Sequence, residues 1–160
     1  MSCNDALLFS LNIGDLRKLY LEVYNDHVQF TNGINVILRL TLLQWRLFCD
    51  EMDVLNVGIE RIAHGQLANF CTRLSGQLVL ELRHPYCCIV LKSYAETSDY
   101  LTHTFVGVAM HYREWNALRD GMASVNHHFD LNLQIPCYAR GNHRTLEELE
   151  ACCFCDGSLL

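Results

Sequence analysis

Twice along this chain a run of apolar residues at period two gives way to a run at steps of three and four, so any fold must make the same switch twice. Residues 19–23, LYLEV, put Leu19, Leu21 and Val23 on one face and Glu22 on the other; residues 78–82, LVLEL, do the same with Leu78, Leu80, Leu82 and Glu81. A short apolar piece ending in glycine precedes each, LLFSLNIG at 7–14 and NFCTRLSG at 69–76. A β-branched or aromatic strand follows each (HVQF, 27–30; CCIVLKSY, 87–94), then a last strand, INVILRL at 34–40 and THTFVGVAM at 102–110. Helical stripes come next: Trp45, Phe48, Met52, Leu55, Ile59 and Ile62 in the first half, Trp115, Leu118, Met122, Val125 and Phe129 in the second. Thr41 with Gln44 forms a capping-box pattern, and Glu114 holds the equivalent third helical position.

The spacing predicts an α+β fold of two ββββα repeats, residues 6–65 and 66–130, each a twisted four-stranded antiparallel sheet followed by a helix. The copies are 59 residues apart at the LxLE strands and 70 at the tryptophans, so the second half holds 11 extra residues, placed here in the hairpins around ETSDYLTH. Residues 131–160 form a tail, in which LNLQI could add an edge strand and Thr145 with Glu148 marks a short helix.

About half of the 160 residues are apolar, enough for a real core. No apolar run reaches the roughly 18–20 residues of a membrane span, and the start MSCNDALLFSLN lacks a basic flank, which points to a soluble intracellular protein, nuclear or cytoplasmic. Nine cysteines then read as free thiols rather than a disulfide framework. Cys152 and Cys155 give one CxxC, with His127, His128, Cys137 and His143 nearby, but no second paired knuckle, so no metal or other cofactor is expected. Nucleophile elbow, P-loop and HExxH are all missing, and no enzyme is expected. The net charge of −6 argues against a wholly basic nucleic-acid surface, yet residues 6–40 are locally neutral: Arg17, Lys18 and Arg39 balance Asp15, Glu22 and Asp26.

The stretches IGDLRKLYLEV and LRLTLLQWRLF, and in the second half SGQLVLELR, CCIVLKSYAE and VGVAMHYREWNAL, resemble the C-terminal domain of the PC4 (p15) family of transcriptional coactivators, and more distantly the plant Whirly proteins. The resemblance covers roughly residues 7–130. It implies two sheets with the helices packed together at their interface, as a pseudo-dimeric monomer or a homodimer. It also implies binding of single-stranded DNA, with RNA as the other candidate strand, across the sheets without sequence preference, in transcription, replication or repair. One departure is that the hairpin stretches QFTNGIN and LTHTFVG contain no lysine or arginine.

Cations that track phosphates and rings that stack on bases are what a single-strand platform needs. The candidates are Arg17, Lys18, Tyr20, Tyr24 and Arg39 in the first half, and Arg83, Lys92, Tyr94 and Tyr100 in the second. The same residues could instead pair across strands to cover the sheet. Trp45 and Trp115 open the apolar stripes and read as core anchors. Two functions follow: single-stranded DNA binding, or a protein-interaction module that keeps the fold without the DNA surface and recruits transcription or replication proteins.

Overall fold

The alternating segments form two antiparallel meanders. A computed structural model of the chain describes residues 6–94 and 105–129, with Tyr94 and Phe105 by backbone alone. Strands β1 (Phe9–Asn12), β2 (Tyr20–Val23), β3 (His27–Thr31) and β4 (Val36–Thr41) pair in chain order. Helices α1 (Leu42–Asp50) and α2 (Met52–Ala63) follow. The pattern repeats with β5 (Asn69–Ser75), β6 (Leu78–Arg83), β7 (Cys88–Tyr94), β8 (Phe105–His111) and α3 (Tyr112–His127). The fold is thus the expected pair of ββββα repeats. The expected tail strand, the Thr145 helix and Tyr100 lie outside the described residues.

Strand register locates the extra residues of the second half. Leu21 pairs with Phe30 and Phe30 with Leu38; Leu80 pairs with Leu91 and Leu91 with Val108. The offsets between equivalents are therefore 59, 61 and 70, so two residues enter between β6 and β7 and nine between β7 and β8.

One core contains residues of both repeats, and the helices are exchanged across it. The first repeat's helix starts on its own β3 and β4, then runs onto β5, β6 and β7; α3 starts on β7 and β8 and reaches β1. Every residue of both helical stripes is buried, with Trp45 and Trp115 fully so. The Trp45 indole N–H donates to Asn126 Oδ1 at 2.8 Å, and the Trp115 N–H donates to Asn56 Oδ1 at 2.6 Å. Both donors and acceptors are 70 residues apart, so the two bonds are related by the repeat itself. Each satisfies a polar atom that burial would otherwise leave costly. Around them Phe48 meets Trp115 edge-on at 6.0 Å, and Cys49 Sγ lies 3.9 Å from Met122 Sδ.

Both helices open as expected. The Gln44 amide N–H donates to Thr41 Oγ1 at 3.1 Å and the Thr41 N–H to Gln44 Oε1 at 2.9 Å, while the His111 N–H donates to Glu114 at 3.4 Å. The first stripe, expected as one helix, breaks at Glu51, whose N–H bonds the Phe48 carbonyl three residues back. The equivalent of Glu51 in the second repeat is Gly121, where a Cβ would stand 2.5 Å from Leu11 Cδ2. Lacking that Cβ, α3 passes close to β1 unbroken, whereas the first helix breaks at the matching glutamate. No helix among the described residues is long and apolar enough to cross a membrane.

Candidate nucleic-acid interface

Because Leu19, Leu21 and Val23 of the first repeat and Leu78, Leu80 and Leu82 of the second are buried, the alternate residues of each sheet form its outer face. On the first sheet, Ser10, Glu22, Gln29 and Arg39 form one cross-strand row. Tyr20 and Tyr24 flank Glu22 on the same side of the chain. The Tyr24 ring stacks on His27 with centroids 4.5 Å apart and planes 6° from parallel, and its hydroxyl donates to Glu22 Oε1 at 3.2 Å. Gln29 Nε2 donates to the same oxygen at 2.9 Å. Arg39 is exposed, its Nη2 3.1 Å from His27 Nδ1. That nitrogen also lies 2.7 Å from Asp26 Oδ1, and the hydrogen bond holds the Asp26 carboxyl below its usual range.

Lys18 and Tyr20 line a groove of about 360 Å³ together with Glu22, Asn32, Gly33 and Ile34. Its far wall is the β3–β4 turn, where Asn32 Oδ1 accepts from the Ile34 and Asn35 amides at 2.9 and 2.8 Å. Gly33 has φ +93°, the left-handed region open to glycine, and packs close to the Tyr20 ring.

The remaining candidates are differently placed. Arg17 sits in the loop between β1 and β2 and is turned toward the other repeat: its Nε and Nη2 donate to Glu114 Oε2 and Oε1 at 2.9 and 2.8 Å, and Nη2 also donates to the Ala109 carbonyl. Burial alone would raise the Glu114 carboxyl, but the Arg17 hydrogen bonds and charge outweigh it and hold Glu114 below the usual range. On the second sheet, Lys92 Nζ is 2.9 Å from Glu81 Oε2 and Arg83 Nη2 3.6 Å from Glu81 Oε1. The Lys92 hydrogen bond, ahead of the cost of burial, lowers the Glu81 carboxyl. Tyr94 pairs through its backbone with Phe105, and Tyr100 lies outside the described residues.

The structure therefore gathers Lys18, Tyr20, Tyr24 and Arg39 on one open face, and sets Arg17 and Lys92 in ion pairs. Sequence reasoning missed Glu22, His27, Gln29 and Asn32. The alternation of HVQF does put Gln29 on the side of Glu22, a signal available once those two strands are paired. Comparison with family models, with curated proteins and with solved structures returned no match.

Proposed function

We propose that this chain binds single-stranded DNA inside the cell, in transcription, replication or repair, across the outer face of its first sheet, as the coactivator-like class it resembles would. The observation that carries this reading is the set on that face: two exposed cations (Lys18, Arg39), the half-buried rings of Tyr20 and Tyr24, the latter stacked on the buried His27, and the Gln29 amide. Rings of this kind contribute about 1–3 kcal/mol per stacked base, and cations beside them neutralise phosphates. With two cations on the face, the complex should weaken as salt rises, with a slope set by the phosphates they neutralise.

The test is binding of labelled single-stranded and duplex DNA across a salt series. Single strands should bind more tightly than duplex, and Lys18→Glu with Arg39→Glu should weaken binding and lower the log-log salt slope by about one per cation removed. Absence of binding at low salt, or unchanged affinity in the double variant, rejects the proposal. The pairing of Lys92 and Arg83 with Glu81, and of Arg17 with Glu114, favours the second reading, a protein-interaction module. Partners that persist after nuclease treatment would support it.

A further inference from the structure

We propose that Glu22 is a specificity-determining residue, selecting at one position of the bound strand a base with an exocyclic amino group over thymine. The inference rests on the single-strand reading above. Glu22 stands in the middle of the first sheet's outer face and lines the groove whose walls are Lys18, Tyr20 and the Asn32–Ile34 turn. That groove, about 360 Å³, falls within the roughly 300–1,000 Å³ typical of sites that hold one small ligand. The carboxylate is fixed by its neighbours: Tyr24 and Gln29 both donate to Oε1, while among the described residues nothing donates to Oε2.

A carboxylate oxygen accepts hydrogen bonds and offers none. Against cytosine it meets the N4 amino group, a donor; against thymine the same position is the O4 carbonyl, whose lone pairs repel it. Adenine N6 and guanine N2 are donors as well, so the selection is against thymine rather than for a single base. Tyr20 beside Glu22 supplies a ring for the base, and Lys18 a cation for the phosphate of the same nucleotide.

The second repeat holds the internal control. Its equivalent glutamate, Glu81, has Lys92 on Oε2 and Arg83 near Oε1, and the residue in place of Tyr20 is Val79. The same acid on the same strand is closed there and open in the first sheet.

Cytosine and thymine are both pyrimidines and differ at the 4-position group that Glu22 would meet, as well as at N3 and the thymine methyl, which the Glu22 variant controls for, so the experiment compares labelled oligo-dC and oligo-dT of equal length at low salt and neutral pH. Oligo-dC should bind about tenfold more tightly, the scale of one hydrogen bond to a charged group. Glu22→Gln, of nearly unchanged shape, should bring the ratio close to unity while both oligonucleotides still bind, and Glu81→Gln should leave it in place. Equal affinities in the wild-type chain, or a preference that survives Glu22→Gln, would overturn the inference and leave single-strand binding standing. Failure of both oligonucleotides to bind would overturn both.

Discussion

The two repeats agree inside and differ outside. Inside, apolar residue for apolar residue and tryptophan for tryptophan, they bury equivalent stripes and exchange the same indole-to-asparagine hydrogen bond. Outside, β1 and β2 are joined by seven residues, 13–19, which carry Arg17 to the second repeat, whereas β5 and β6 are joined by two, with Gly76 at φ +55°. Glu114 caps its helix and also takes Arg17; its counterpart Gln44 only caps. Packing between copies ties both halves to one shape, and the outer faces, free of that constraint, have become one open surface and one that is closed by its own ion pairs.

The largest test of this symmetry is truncation at its centre. Trp45→Ala and Trp115→Ala should each lose about 3–5 kcal/mol in chemical denaturation, and by similar amounts if the two sites are equivalent. Their asparagines should separate more finely. Asn56 is fully buried, so Asn56→Ala leaves an indole N–H without a partner and should cost about 1–3 kcal/mol, more than Asn126→Ala at its partly buried site.

Next comes the latch that only one repeat has. Arg17→Met leaves the fully buried Glu114 carboxylate with only its hydrogen bond from His111 at the helix start and should cost about 1–3 kcal/mol near neutral pH. Because Glu114 is held below its ordinary value, the stability it adds is present above the unfolded-state glutamate pKa of about 4.3 and is lost as pH falls through the lower folded value. Unfolding midpoints measured down an acid series should therefore drop less steeply in Glu114→Gln than in the wild-type chain. A parallel decline in both would remove Glu114 from that role.

The smallest effect belongs to the second face. Lys92→Met breaks a partly exposed pair with Glu81 and should change stability by no more than about 1 kcal/mol. It should leave DNA affinity nearly unchanged if the first sheet is the platform; a loss as large as that of the Lys18 and Arg39 reversals would place DNA on both sheets.

Much of the architecture was legible because burial writes itself into period. LYLEV and LVLEL announce strands, the tryptophan stripes announce helices, and Thr41 with Gln44 announces where a helix begins. The break at Glu51 was not legible, since a stripe of correct spacing continues through it, and the close helix–strand approach that sets Gly121 apart from it is tertiary. The site was half legible for a similar reason. Alternation tells that Lys92 and Glu22 avoid the core, but not what each meets: Lys92 finds Glu81 and Glu22 lines a groove, while Arg17, in the loop ahead of β2 where alternation does not apply, finds a carboxylate 97 residues away. The reciprocal asparagines had a readable trace, Asn56 and Asn126 each standing 11 residues after a tryptophan, which gains meaning only when the helices are seen to cross.

The exchange of helices has a consequence for how the molecule comes apart. Each sheet is roofed partly by a helix that belongs to the other half of the chain, so neither half can open its core without stripping cover from its twin. The repeat, a duplication in sequence, should be a single cooperative unit in unfolding. Amides of β2 and β6 should then show the same protection free energy in hydrogen exchange, as members of one foldon that spans both copies.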